Sequence, residues 1–284
     1  MYNNSNKKLS VKPSNDWVFK KLCIENPDLL ADLVHEVTGL TVTTDTMVVK
    51  SVEEAPDAPE GKAIRLDIEV ETAEKRFDIE MQVCKEVDFC QRTLYYWAKL
   101  FMENFVQGED YVRLKPTICI NFLDCELLGT DNFFSNYILK ESERNEIEPK
   151  LSGQMNLYFV ELPKLRKNSD LSRLELWVKF LSADTEEDLD MIEKANDPNV
   201  NEAVGIIRGY NNDEGTRELA FKRARAVTDY NRRFNAGKEE ERANTIRKLF
   251  ARGDSIKAIA DLYAVSEEYV RSIIDNHIEA EIND

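Results

Sequence analysis

The stretch that most constrains this chain is RLDIEVETAEKRFDIEMQ, residues 65–82. Apolar and polar residues alternate through it with a period of two, the mark of a strand with two unlike faces. Leu66, Ile68 and Val70 share one face, and Asp67, Glu69 and Glu71 the other; in the second half Phe77, Ile79, Met81 and Val83 oppose Asp78, Glu80 and Gln82. A two- or four-residue turn centred on Ala73 and Glu74 sets Asp67 across from Glu80, Glu69 across from Asp78 and Glu71 across from Arg76. Directly opposed residues have β-carbons roughly 4.5–5.5 Å apart, and like charges at that distance destabilise a sheet. The acidic face therefore requires either water over it or something positive to hold. Asp67 with Glu80 suits Mg²⁺ or Mn²⁺, hard ions that prefer oxygen ligands.

Composition narrows the classes. At 284 residues, 42% hydrophobic and 32% charged, the chain can bury a sizeable core without staples and reads as an ordinary globular protein. Its apolar runs, such as ICI near residue 119, fall far short of the roughly 18–20 residues that cross a bilayer, so no membrane association is expected. The N-terminal MYNNSNKKLSVKPSND has no apolar segment behind its lysines, which argues against a secretory signal. Five cysteines (Cys23, Cys84, Cys90, Cys119, Cys125) without a CxxC pair fit a reducing cytoplasm rather than a zinc ribbon or disulfide scaffold. With only His35 and His277, His-based metal sites are nearly excluded. GxxxxGK[ST], GxSxG and HExxH are absent, which removes the usual marks of P-loop, serine-hydrolase and zinc-protease chemistry. The formal net charge of −16 opposes long-range attraction to nucleic acid.

Along the chain, PSNDWVFKKLC opens a helix with Ser14 or Asn15 as cap and Asp16 in its first turn. NPDLLADLVHEVTG gives a second, with Asn26 as cap, Pro27 at its first position and Gly39 as stop. Strands are expected near 46–53, 64–72 and 75–84, then a helix over about 88–106 on which Cys90, Leu94, Trp97, Phe101 and Phe105 form an apolar stripe. Arg92, Tyr96 and Lys99 lie within about 60° of one another, nearly opposite that stripe. Beside two carboxylates, such a cationic and phenolic face can grip a phosphodiester. LKPTICINFL reads as a buried central strand and QMNLYFVEL as a further one. Helix, hairpin, helix, strand implies an α/β fold, a mixed sheet flanked by helices.

Beyond about residue 166 strand signals vanish. Arg208 to Arg233 carries seven basic residues against four acidic ones, a segment able to meet phosphates or simply to coat a solvated helix. From Gly237 onward the pattern has helix-turn-helix spacing: a stop at Gly253, a short helix with Ile256, Ile259, Ala260 and Tyr263, and Ser266 capping a last helix through Val270 and Ile273. Acids outnumber bases there eleven to seven, and Glu267 and Glu268 open the last helix, so packing or dimerisation competes with DNA reading. Three parts follow: a core over 1–165, a helical extension over 166–236 and a helix-turn-helix-like tail over 237–284.

The ordered series NDWVFKKL, LDIEV, FDIEMQ, FCQRTLYYWAKLF and GEDYVRLKPTICINFL resembles the Rpn family of recombination-promoting nucleases and transposase-like proteins, within the PD-(D/E)XK superfamily. The resemblance spans roughly residues 12–165, with weaker similarity in GDSIKAIADLYAVSEEYV. It implies a restriction-endonuclease-like fold and metal-dependent cleavage of DNA, associated with recombination or transposition. Carried over residue by residue, Asp67 and Glu80 would hold Mg²⁺ or Mn²⁺ with the backbone carbonyl of Met81, Gln82 would stand where many relatives have lysine, and Asp16 would be the acid of the first helix. Arg92, Tyr96, Lys99 and Lys20 are then candidates for the DNA phosphates. Leu66 replaces the proline of the superfamily name. Gln82 can orient water but carries no charge. A homodimer, or a catalytically inactive protein that keeps the fold and binds DNA or a partner, is the competing expectation.

Overall fold

The computed structural model describes residues 7–50, 53–54, 64–65, 68–83, 88–103, 105–143, 151, 153–165 and 171–283, without the side chains of 53, 54, 64, 65, 227, 230, 231, 233–235 and 276–283. The described residues divide into two compact units, up to Phe221 and from Lys222.

In the first unit, helix α1 (Asp16–Glu25) begins at Asn15, whose side chain accepts the Val18 N–H, and buries Val18, Phe19, Leu22 and Cys23. Asn26 acts differently from a side-chain cap of the next helix. Its amide instead donates back to the Leu22 carbonyl at 2.8 Å and closes α1. Helix α2 (Pro27–Thr38) stops at Gly39, which takes the left-handed φ of 71° that L side chains resist.

The main sheet uses β1 (Val48–Lys50), β4 (Ile68–Glu71), β5 (Arg76–Gln82), β6 (Thr117–Leu123), β7 (Phe134–Ile138) and β8 (Met155–Glu161), in the order β1-β4-β5-β6-β8-β7. Short strands β2 (Glu53–Glu54) and β3 (Ile64–Arg65) pair separately. The β4–β5 pairing is antiparallel with Glu69 opposite Asp78 and Glu71 opposite Arg76, the register read from the sequence. β5, β6 and β8 run parallel, and β7 closes the edge antiparallel to β8. Helix α3 (Phe89–Met102) makes the crossover from β5 to β6.

Alternation then sorts the two layers. Ile68, Val70, Phe77, Ile79, Met81, Ile118, Ile120, Phe122, Tyr158 and Val160 pack in one core with α1, α2 and three later helices: α4 (Arg173–Leu181), α5 (Glu186–Glu193) and α6 (Pro198–Asn212). Full burial of one such aromatic or aliphatic side chain is worth about 1.5–3 kcal/mol. Trp177 lies in this layer, with its indole N–H donating to Asp32 at 2.9 Å. On the other face, Phe89 of α3 meets Cys119, Leu123, Leu157 and Phe159, and Trp97 donates to the Thr117 carbonyl.

The buried face of α3 differs from the expected stripe. Phe89, Thr93 and Leu100 are buried, whereas Leu94 is 46% exposed. The sheet surface beneath carries apolar residues and carboxylates together, and the helix meets it with Phe89, Thr93, Trp97 and Leu100 as well as with Arg92.

Helix α7 (Glu214–Arg252) runs from the first unit into the second. The second unit has its own core of Ile246, Ile259, Ala260, Val270, Ile273 and Ile274. Within it, Gly253 adopts φ 104°, Ser255 caps α8 (Ile256–Tyr263), Ala264 makes a left-handed turn, and Ser266 accepts the Tyr269 N–H in the first turn of α9 (Glu267–Asn283).

Candidate active site

Strand β5 sends Asp78, Glu80 and Gln82 to the α3 side. The acidic face is not open to water: Glu69, Asp78 and Glu80 are all buried, and Arg76 is 7% exposed. Positive groups come from neighbouring elements. Lys50 on β1 stands 3.3 Å from Glu69 and 3.5 Å from Glu71. Lys115 donates to Glu71 at 2.8 Å and to the Thr72 carbonyl at 2.9 Å. Arg76 donates to the carbonyls of Leu100 and Glu103, tying the end of α3 to the sheet. Burial pushes the Glu69 carboxyl above its ordinary range, aided by the charge of Glu103 and opposed by Lys50. The Lys115 hydrogen bond, against some burial, holds Glu71 below that range.

Toward the carboxyl end of β5, α3 supplies Arg92. Its Nη2 donates to Gln82 Oε1 at 2.8 Å and stands 3.6 Å from Glu80 Oε2. The guanidinium carbon lies 4.7 Å from the Phe89 ring centre and 5.8 Å from that of Tyr96. Behind these groups, β6 places Asn121 in register with Glu80; Asn121 donates to the Tyr158 carbonyl and accepts from Thr93. Cys119, in register with Asp78, is fully buried; burial, then the nearby Asp78 and Glu80, drives its thiol well up. It stays protonated and is no nucleophile.

The structure thus brings Glu80, Gln82, Arg92 and Tyr96 together. Met81 points its side chain into the other core, leaving its backbone to the site. Asp16 and Lys20 face each other at 3.8 Å on α1. Lys99, half-buried, sits in the last turn of α3, seven residues and so about 10 Å along the helix from Arg92. Asp67, the other expected metal ligand, lies outside the described residues. Two residues that sequence reasoning missed are Ser14 and Asp124. Asp124 follows β6 directly, its N–H donates to the Gln82 carbonyl at 2.8 Å, and its carboxylate accepts from buried Ser14 at 3.0 Å. Burial raises the Asp124 carboxyl. An acid just past the carboxyl end of a central parallel strand is the signal that marks it, because ligands gather there in open α/β sheets.

A cleft of about 630 Å³ opens at the other end of β5, lined by Arg76, Phe101, Glu103 and Lys115 among others. Glu80, Gln82 and Arg92 lie away from it, toward the carboxyl end of the strand. Part of the basic segment is also spoken for. Arg208 is surrounded by Glu186, Asp190 and Glu193, and Arg217 donates to the Asn211 carbonyl.

Among the described residues no group of three or more His, Cys, Asp or Glu side chains is gathered for a metal ion. The donors that are gathered are a buried carboxylate and an amide oxygen, with a backbone carbonyl between them in sequence, and an all-oxygen set of this kind fits a hard divalent ion. Among the described residues no helix is long and apolar enough to cross a membrane.

Comparison with curated proteins and with solved structures yields no match. The pattern of the PD-(D/E)XK nuclease family transposases does match, over residues 13–237, a span that takes in every strand of the sheet and the helices on both its faces; the chain belongs to that family.

Proposed function

We propose that this protein is a divalent-metal-dependent DNA endonuclease that hydrolyses phosphodiester bonds, acting in recombination or transposition in the cytoplasm. The observation that carries the reading is the convergence of Glu80, Gln82 and Arg92 on one buried, oxygen-rich patch of β5 within a chain of nuclease family. Glu80 and Asp67, with the Met81 carbonyl, would hold Mg²⁺ or Mn²⁺. A bound ion of this kind polarises a phosphate oxygen and brings the pKa of a coordinated water down toward neutrality. Gln82 would place the attacking water through its amide. Arg92 and Tyr96 would contact the phosphate at the metal, Lys99 and Lys20 would serve other DNA phosphates, and Asp16 would be the acid of the first helix. The net charge of −16 predicts weak, salt-sensitive DNA binding.

Plasmid nicking with Mg²⁺, Mn²⁺ or chelator, run beside Glu80→Ala, tests the reading. Cleavage is expected with either metal, none with chelator, and at least a hundredfold loss in the variant. Undiminished cleavage by Glu80→Ala would remove the assignment. A second reading applies to the tail: exposed Glu267 and Glu268 at the start of α9 favour contact with a protein partner, a second copy included, over DNA.

A further inference from the structure

The inference here deepens the metal-dependent reading and rests on it. Arg92 is fixed rather than loose, gripped by the Gln82 amide oxygen at 2.8 Å, flanked by the rings of Phe89 and Tyr96, and 3.6 Å from Glu80. Its side chain is 26% exposed and that of Glu80 6%. Guanidinium is charged at every relevant pH and stacks on aromatic faces. At Glu80 it therefore supplies the positive charge that a buried carboxylate requires. The identity of residue 82 is what admits it. A lysine there would repel a guanidinium, whereas the glutamine oxygen accepts its N–H. Gln82 and Arg92 act as a matched pair, in which the positive charge comes from the helix rather than the strand.

We propose that Arg92 is a resident counter-ion that competes with divalent metal for Glu80 and, once released from that carboxylate, is the cation that meets the scissile phosphate. Two consequences have opposite sign. Removing Arg92 frees Glu80 for metal and at the same time deprives the phosphate of its cation. A purely structural arginine behaves otherwise, because its loss loosens the site and weakens metal binding and cleavage together.

The test titrates Mn²⁺ into the full-length protein without DNA, by calorimetry or by the electron paramagnetic resonance of free Mn²⁺, and measures nicking separately. Arg92→Ala is expected to bind Mn²⁺ about tenfold more tightly than wild type, the size of effect a full charge exerts on a carboxylate at this range. Its nicking is expected to fall about a hundredfold or more. Arg92→Lys keeps a charge but loses the fork and the stacking; its Mn²⁺ affinity should lie between the two, and it carries the test if the alanine variant does not fold. Wild type without measurable Mn²⁺ binding beside an Arg92→Ala that binds would also support the proposal. It is overturned if Glu80→Gln abolishes Mn²⁺ binding while folded Arg92 variants bind no more tightly than wild type. If Mn²⁺ binding is indifferent to Glu80→Gln, the metal-dependent reading itself fails, an outcome distinct from the first.

Discussion

Glu69 shows how little room a buried charge has. It is fully buried opposite Asp78, one oxygen is held by Lys50, and its Oε2 has no hydrogen-bond partner among the described residues. Its carboxyl is shifted upward from the ordinary 4.5, so the folded chain holds that proton more tightly than the unfolded one. The associated stability is present below 4.5 and is lost as pH rises through the folded-state value. Glu69→Gln removes this titration. Its urea midpoint relative to wild type is therefore expected to move in the variant's favour as pH is raised from 4.5 toward neutrality, and a pH-independent difference would refute the account. Lys50 is the sequence's answer to the acidic row, yet nothing in the local pattern announces it, because it comes from a three-residue strand 19 positions away.

At the scale of elements, helix α3 decides what the sheet face can do. Phe89→Ala should cost about 3–5 kcal/mol in chemical denaturation, since Phe89 is 1% exposed and lies against Phe159. Leu94→Ala should stay within about 0.5 kcal/mol because Leu94 is largely in solvent. Of the expected stripe, Trp97 packs on the sheet while Leu94 stands in solvent, because periodicity finds the most apolar side of a helix, whereas this helix is docked over carboxylates as well as apolar residues. The hairpin was legible because its alternation and turn together fix register, and β6 was legible because Ile118, Cys119, Ile120, Phe122 and Leu123 make a short, nearly continuous apolar run. Strand β7 was not. FSNYI at the sheet edge has neither an alternating pattern nor full burial, and only pairing with β8 makes it a strand. In the site, Glu80 and Gln82 could be read from the strand pattern, and Arg92 from helical spacing. Asp124 required knowledge of which loop follows the carboxyl end of β6.

For the molecule as a whole, charge and partition into units set the expected behaviour. In the tail a short turn joins α8 to α9, and this last helix opens with two exposed glutamates. If that helix does not approach phosphates, Glu267→Lys with Glu268→Lys leaves DNA affinity unchanged in fluorescence anisotropy at about 0.1 M salt, where two new phosphate contacts would otherwise raise it severalfold. We expect no change; a gain would assign the tail to DNA. The three tryptophans, Trp17, Trp97 and Trp177, all fall before Phe221. Trp97 covers one side of the sheet, while Trp17 and Trp177 pack in the layer on the other. Indole emission is thus an optical gauge of both sides of the sheet, and residues 222–284 contribute no indole to it. Far-ultraviolet dichroism counts the helices of both units, so a gap between its transition and that of the indole emission reads out melting that the sheet does not share.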